Sequence, residues 1–169
     1  MRDLVGSWSR RPPASLLAAC AFAMTLWPQL AAADAKGVFS GFAGEWRGVG
    51  TVFGANGKSE ALRCTESNVV SDDNISLTQS LVCVSSHVHV EFQTALFTDG
   101  HTVRGTLQDV IRKVGGNVYG QIADGVIAAT ITAPGVRARL SAKVSAGRQQ
   151  VTIEPDGGQI ARAVVTMKK

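Results

Sequence analysis

Three side chains that bind metals well alternate along one short stretch of the chain, at His87, His89 and Glu91. Because successive side chains of a β-strand point to opposite faces, all three would share one face of a strand. Two imidazoles and a carboxylate suit zinc or copper, so this spacing makes the three residues a candidate metal site. The other interpretation is a solvated polar face, since surface polar residues need no ligand.

The opposite face of the same stretch is apolar, with Val88, Val90 and Phe92 at the alternate positions. In a strand that buries one face, the apolar side turns to the core, so the histidines are expected outside. The sequence has no G-x-S-x-G nucleophile elbow and no glycine-rich phosphate loop. We therefore expect a protein without catalytic activity, and the residues alone predict no cofactor.

The first 33 residues have the features of a secretory signal peptide. An apolar run over 14–27 is followed by a small-residue site at 31–33, with cleavage expected before Asp34. Three arginines make up the basic start, Arg2, Arg10 and Arg11. The segment 17–20, Leu-Ala-Ala-Cys, resembles a lipobox, which leaves lipid attachment at Cys20 as the alternative. The chain is predicted to be exported to the periplasm, with a single domain over 34–169.

The predicted mature chain is nearly balanced in charge. Removal of residues 1–33 takes three arginines and one aspartate from 17 basic and 13 acidic residues, which leaves a net charge of about +2. That balance provides no electrostatic basis for nucleic-acid binding. Beyond residue 33 no apolar stretch reaches the roughly 20 residues that a membrane-spanning helix needs, so no transmembrane segment is expected.

Two cysteines, Cys64 and Cys83, remain in the predicted mature chain. An even pair in an oxidising compartment predicts a disulfide. The segment 71–74 predicts a hairpin turn centred between Asp73 and Asn74, which would place the cysteines directly opposite each other on adjacent strands. Closing a loop of this size should contribute about 3 kcal/mol to stability.

Short strand-like segments recur along the chain with turn signals between them. Asn56-Gly57 predicts a type I′ turn, in which both central residues need positive φ. Further turn signals are Asp99-Gly100, Gly115-Gly116-Asn117, Asp124-Gly125, Ala133-Pro134-Gly135 and 155–158. About ten strands without helical periodicity predict an all-β fold, a single antiparallel up-and-down barrel, because closure removes exposed sheet edges.

The opening strand carries residues 44–50, Gly-Glu-Trp-Arg-Gly-Val-Gly, which place Trp46, Gly48 and Gly50 on one face. Glycines inside a strand mark a bend or a close approach of another backbone. The spacing resembles the G-x-W element of lipocalins and other calycin barrels, and its longer form resembles the nitrobindin branch. Together with the two cysteines, it also resembles a group of small exported proteobacterial proteins.

The resemblance to calycins implies three further features. An N-terminal segment with Phe39 and Phe42 would plug one end of the barrel, and a basic residue of the last strand, here Arg162, would stack on Trp46 and close the base. Nitrobindin-type barrels hold haem through a histidine near the C-terminus, which makes haem a candidate cofactor. This sequence departs from that pattern, since its three histidines all lie within 87–101.

The inward face of the predicted barrel is mainly apolar. Its large interior candidates are Trp46, Leu62, Ile75, Leu77, Leu81, Val88, Val90, Phe92, Leu96, Val103, Leu107, Ile127, Ile131, Leu140 and Val151. The candidates for contact with a ligand are Trp46, Leu62, Leu81, Val90, Phe92 and Leu107. Small inward residues would either let the barrel pack solid or leave a cavity; they are Gly48, Gly50, Gly105, Ala138 and Ala142.

These features together predict an exported, non-enzymatic binding barrel for a small apolar ligand. The alternative is a protein-interaction or inhibitor-type barrel of the cell envelope, with an envelope protein as its partner. Haem binding, as in nitrobindin-like barrels, is a third interpretation. Zinc at His87, His89 and Glu91 remains open beside these.

Overall fold

The computed structural model describes residues 37–169, which form ten β-strands. The strands are β1 (Gly44–Gly54), β2 (Ser59–Val70), β3 (Ser76–Val84), β4 (His89–Thr98), β5 (Thr102–Asp109), β6 (Val114–Ala123), β7 (Val126–Ala133), β8 (Val136–Ser145), β9 (Arg148–Pro155) and β10 (Ile160–Lys168). The predicted signal peptide, its cleavage site and Cys20 lie outside the described residues. Within 37–169 there is no helix long and apolar enough to span a membrane.

Each strand pairs antiparallel with its neighbours in sequence, and β1 also pairs with β10, so the sheet closes into a barrel. At the seam, Arg47 lies opposite Lys168 and Phe53 lies opposite Arg162. The prediction of a single antiparallel up-and-down barrel of about ten strands is confirmed. Because β1 pairs with β10, the backbone N–H and C=O groups of both strands have hydrogen-bond partners. In an open sheet these two strands would be unpaired edges.

On the strands for which interior candidates were predicted, β1 to β5 and β7 to β9, the face expected to point inward is the buried face. The buried interior candidates are Trp46, Leu62, Leu77, Leu81, Leu96, Val103, Ile127, Ile131 and Val151. Five others are partly buried and pack against this core, namely Val88, Val90, Phe92, Leu107 and Leu140. The prediction for Ile75 is wrong, since this residue is 50% exposed. It belongs to the turn before β3 rather than to the strand, so strand alternation does not apply to it.

Cys64 and Cys83 form the predicted disulfide, with their Cα atoms 4.2 Å apart. The two residues lie directly opposite each other in the β2–β3 register, as the position of the turn predicted. In that turn the Ser71 N–H donates to the Ser76 carbonyl oxygen at 3.1 Å, and Asn74 has a φ of 58°. Asparagine adopts positive φ more readily than most residues, so the turn sequence supports the register that the disulfide needs.

The turn between β1 and β2 differs from the predicted type I′ geometry. Gly57 has a φ of 79°, but Asn56 does not share the positive φ that this type requires. The loop is too long for a two-residue turn, because β1 ends at Gly54 and β2 begins at Ser59. Asn56 instead accepts a hydrogen bond from the Lys58 N–H through its side-chain oxygen, at 3.0 Å.

One end of the barrel is sealed by the segment that precedes β1. Phe39 and Phe42 are buried there, and Trp46 Nε1 donates a hydrogen bond of 2.8 Å to the Phe42 carbonyl oxygen. The predicted plug is therefore confirmed. Lys169 Nζ lies 4.9 Å from the centre of the Trp46 ring, within the range of a cation–π contact.

The prediction that Arg162 stacks on Trp46 is wrong. The Arg162 guanidinium lies over the ring of Phe53, 4.8 Å from its centre. Antiparallel pairing explains the difference, because the beginning of β1 meets the end of β10. Lys169, just after β10, is therefore the basic residue that reaches Trp46, whereas Arg162 lies near the start of the strand.

Candidate functional site

The barrel end opposite the plug is formed by the turns after β1, β3, β5, β7 and β9. Inward apolar side chains near these turns are only partly buried; they include Val52, Val90, Phe92, Leu107, Leu140 and Ile153. At the sealed end, Phe39, Val103 and Met167 are 0% exposed, although Val38, Val70 and Val144 are partly buried there. We call the end opposite the plug the open end.

A cavity of about 50 Å³ lies inside the barrel. Its wall is mostly apolar and includes Leu81, Phe92 and Leu107, together with the polar side chains of Gln79, Thr94 and Gln149. One water molecule needs roughly 10–15 Å³ of such volume. The cavity therefore has room for a few water molecules or for a chemical group of a few heavy atoms.

The six residues predicted to contact a ligand lie in different parts of the barrel. Leu81, Phe92 and Leu107 line the cavity. Leu62 borders a surface depression of about 1390 Å³ beside the β1–β2 turn. Trp46 lies at the sealed end and Val90 packs against the core. The role of the first three in ligand binding stays a prediction, and their position agrees with it.

Five polar side chains are buried among residues 37–169. Asp109 pairs with Arg112 at the end of β5, and the other four lie further inside the barrel: Glu66, Asn68, Thr94 and Gln149. Glu66 Oε1 accepts hydrogen bonds from Asn68 Nδ2 at 2.5 Å and from Gln149 Nε2 at 2.9 Å. Asn68 Nδ2 also donates to the Phe42 carbonyl oxygen at 3.1 Å, which connects the group to the plug. We call these four residues the polar cluster.

Each member of the polar cluster carries one buried oxygen atom without a hydrogen-bond partner among residues 37–169. These atoms are Glu66 Oε2, Asn68 Oδ1, Thr94 Oγ1 and Gln149 Oε1. Leaving a buried polar atom unpaired costs about 1–3 kcal/mol. Since Thr94 and Gln149 line the cavity, a small group placed there is positioned to donate the missing hydrogen bonds.

The residues of the polar cluster were not among the predicted interior residues. Strand alternation could have identified some of them as inward-facing. Glu66 and Asn68 share the inward positions of β2 with Cys64, and Gln149 shares those of β9 with Val151. A polar residue at an inward position is the signal that identifies such a site. Alternation does not show that β2 and β9 approach each other, because that depends on the closure of β1 onto β10.

The residues of the predicted metal site lie on the outer surface. His87 and His89 are exposed, and Glu91 is partly buried. Among residues 37–169, no three His, Cys, Asp or Glu side chains are grouped closely enough to hold a metal ion. The zinc or copper hypothesis stays a prediction that the geometry does not support.

Glu60 organises the turn between β3 and β4. Its carboxylate accepts hydrogen bonds from the Ser85 hydroxyl and, at 3.2 Å, from the His87 N–H. The Ser85 hydrogen bond is the main cause that lowers the pKa of Glu60, and His87 lowers it further.

The same turn places a serine, a histidine and a carboxylate together without the geometry of a hydrolytic triad. Ser86 Oγ lies 2.9 Å from His87 Nδ1, and the Glu60 carboxylate lies 3.3 Å from the same nitrogen. In a triad, the serine contacts one ring nitrogen and the carboxylate the other. This arrangement therefore stabilises a turn and does not activate a nucleophile.

No protein-family model matches the sequence, and no curated protein matches it. The structure is similar to the S-type phycobiliprotein lyase CPES from Guillardia theta, with 15% sequence identity and a TM-score of 0.52, over 78% of this chain and 89% of that chain. It is also similar to a protein of unknown function of the DUF3598 family from Nostoc punctiforme, with 16% identity and a TM-score of 0.55, over 78% of this chain and 48% of that chain. At these identities the similarity shows a shared small-barrel fold and no more.

Proposed function

We propose that this protein is an exported, non-enzymatic binding barrel that takes a small, mostly apolar ligand through its open end. The observation that carries the proposal is the contrast between the two barrel ends. Phe42 and Trp46 are buried at the sealed end, whereas Phe92 and Leu107 remain partly exposed and border the internal cavity. A concave apolar wall with a few polar groups is typical of ligand sites.

The volume of the cavity restricts the ligand. At about 50 Å³, the cavity is far smaller than the roughly 300–1,000 Å³ of sites that enclose a drug-sized molecule. The ligand is therefore small, or it places one end inside the barrel and extends through the open end. Haem is the weaker alternative, because His87, His89 and His101 are all exposed.

Binding agrees better than catalysis with the residues around the cavity. Among residues 37–169, those that line it include no histidine, cysteine or carboxylate, the groups that most often act as catalytic bases or nucleophiles. The similarity to a phycobiliprotein lyase does not assign an activity, since one fold carries many functions.

Export to the periplasm is the part of the proposal that rests on residues 1–33. The disulfide between Cys64 and Cys83 supports it, because disulfides persist in oxidising compartments. The segment before Asp34 would then be removed, or the chain would be lipid-anchored at Cys20.

Native mass spectrometry of the protein from a periplasmic extract, compared with its denatured mass, tests the binding proposal. We expect the native species to carry extra mass. The variant Leu107→Trp should fill the cavity and remove that mass, whereas Ile111→Trp should retain it, because Ile111 is 47% exposed in the following turn. If Leu107→Trp folds poorly, Leu107→Ala should enlarge the site and keep the ligand. A bare wild-type chain, or equal loading of both tryptophan variants, would contradict the proposal.

A protein-interaction barrel is the second candidate, and one feature of the outer face favours it. Phe97 and Tyr119 are 53% and 69% exposed, and the strand register places Arg104 between them. Aromatic and arginine side chains dominate the binding energy of many protein interfaces. Combined replacement Phe97→Ser and Tyr119→Ser should abolish capture of an envelope protein by the immobilised barrel. Capture that survives this replacement would count against the second candidate.

A further inference from the structure

The unpartnered atoms of the polar cluster are all oxygen atoms. Asn68 Nδ2 already donates two hydrogen bonds, and Gln149 Nε2 already donates to Glu66. The unpartnered atoms of the polar cluster can all accept hydrogen bonds, and two of the residues that carry them, Thr94 and Gln149, line the cavity together with Gln79. The complementary group on a ligand is one that donates several hydrogen bonds.

Glu66 adds a requirement for positive charge. Its side chain is almost fully buried at 1% exposure, and none of the ion pairs formed within residues 37–169 includes it. A buried carboxylate is costly unless a cation or several hydrogen bonds compensate for its lost hydration. Oε1 has two amide donors, whereas Oε2 has none. A small cation at the cavity wall beside Gln149 would supply the missing positive charge.

We propose that the polar cluster recognises the protonated amino group of a small amphipathic amine. This inference rests on the binding function proposed above and names the chemical class of its ligand. An alkylammonium group is charged near neutral pH and carries three N–H donors, as the lysine side chain does. Gln149 and Thr94 accept its hydrogen bonds at the cavity wall, and Glu66 lies behind Gln149 at one hydrogen bond of 2.9 Å.

The rest of the ligand lies against the apolar wall. The cavity lining continues from Thr94 and Gln149 to Phe92, Leu107 and Ile153, which are partly buried side chains of the open end. With a volume of about 50 Å³, the cavity accommodates the amino group and its nearest carbon atoms, and a longer chain extends toward the open end. Each methylene group that leaves water there should tighten binding about fourfold.

The proposal distinguishes three ligands that share one apolar chain and differ in the head group. Hexylamine brings a positive charge and three donors. Hexan-1-ol brings one donor and no charge, so it satisfies fewer of the acceptors. Hexanoate brings a negative charge, which Glu66 repels.

Isothermal titration calorimetry of the full exported chain near pH 7 with these three probes is the test. We expect hexylamine to bind at least about tenfold more tightly than hexan-1-ol, and hexanoate to bind most weakly. Glu66→Gln should reduce the preference for the amine over hexan-1-ol to less than about threefold. Glu60→Gln is the matched control, because Glu60 lies on β2, its carboxylate contacts the β3–β4 turn, and the residue does not line the cavity.

If Glu66→Gln does not fold, Thr94→Val removes one acceptor on the cavity wall and should weaken hexylamine binding more than hexan-1-ol binding. Equal affinities of the wild-type protein for hexylamine and hexan-1-ol would overturn the amine assignment and leave the binding barrel standing. Absence of saturable binding by all three probes would also overturn it. The native mass of the periplasmic protein then decides separately whether the barrel binds another ligand.

Discussion

At Gly48 the barrel wall has room for a hydrogen atom and for nothing larger. A Cβ at this position would lie 2.0 Å from the Thr166 carbonyl oxygen and 2.7 Å from the Met167 Cα. Both atoms belong to the backbone of β10, so they cannot move aside by a side-chain rotation. The prediction that a glycine in the opening strand marks a close approach of another backbone is confirmed here, and Gly105 in β5 meets the Ala95 carbonyl oxygen in the same way.

Gly48→Ala should lower the free energy of unfolding by about 2–3 kcal/mol, because the added methyl group forces β1 and β10 apart. Urea unfolding followed by circular dichroism measures the change. Gly115→Ala is the matched control, since its Cβ would meet only Gln108 Oε1 at 3.1 Å, the end of a flexible side chain. This control should change stability by less than about 1 kcal/mol. Equal losses of stability in both variants would show that the close backbone contact at Gly48 does not contribute to the effect.

At the scale of elements, the register of the β2–β3 hairpin determines that Cys64 and Cys83 can form the disulfide bond. The turn that ends at Ser76 places Val70 opposite Leu77, and the same register places Cys64 opposite Cys83. A shift of one residue would turn one cysteine to the outside of the barrel. The disulfide and the register therefore support each other.

The double replacement Cys64→Ala and Cys83→Ala should cost about 3 kcal/mol of stability, because the unfolded chain regains the freedom that the cross-link removes. Urea unfolding of the oxidised and reduced wild-type protein should show a loss of similar size. A reducing agent should leave the double variant unchanged. A double variant as stable as the oxidised protein would contradict this account of the disulfide.

The turn between β5 and β6 depends on Asp109. Burial alone raises the pKa of Asp109, but hydrogen bonds from the Arg112 N–H and guanidinium, both at 2.8 Å, and the Arg112 charge lower it overall. The pKa in the folded protein therefore lies below the ordinary value of 3.8. Since the unfolded chain binds this proton more readily, Asp109 stabilises the fold above that value, and the contribution disappears as the pH falls through the folded pKa.

Asp109→Asn should accordingly lower the free energy of unfolding by about 1–2 kcal/mol at neutral pH. The difference from the wild-type protein should shrink as the pH falls below the ordinary aspartate value of 3.8. Urea unfolding over a pH series measures both effects. In the Asp109→Asn background, Arg112→Gln should cost little further stability, because the pair is already broken. A difference that stays constant with pH would contradict this explanation.

At the scale of the whole molecule, the barrel is asymmetric along its axis. The segment with Phe39 and Phe42 closes the end where β1 begins, and Asn68 and Trp46 both donate hydrogen bonds to the Phe42 carbonyl oxygen. The opposite end has no comparable plug among residues 37–169 and leaves Phe92 partly exposed. This asymmetry makes one end structural, and it supports the proposal that a ligand binds through the other.

Phe42→Ala should lower the free energy of unfolding by about 3–4 kcal/mol, because it leaves a cavity beneath the sealed end. Phe97→Ala is the matched control, since Phe97 is 53% exposed on the outer face, and it should change stability by less than about 1 kcal/mol. Thermal and urea unfolding compare the two variants. Similar losses in both would mean that the plug does not stabilise the barrel.

The sequence by itself determined the features that depend on neighbouring residues along the chain. Alternation of polar and apolar residues identified the inward face of β4, with Phe92 inside and His89 outside. The turn at Asp73 and Asn74 set the register of the cysteines. In the candidate site, Leu81, Phe92 and Leu107 followed from alternation alone. Local rules succeed here because a strand has a period of two and each hairpin turn fixes its own register.

Only the tertiary structure decided which residues meet across the closed barrel. Lys169 rather than Arg162 reaches Trp46, because the pairing of β1 with β10 brings the end of one strand to the beginning of the other. Glu66 and Gln149 are 83 residues apart in sequence and share a hydrogen bond inside the barrel. Contacts of this kind depend on how ten strands tilt and close together. No turn between neighbouring strands carries that information, so the polar part of the site emerged only from the folded chain.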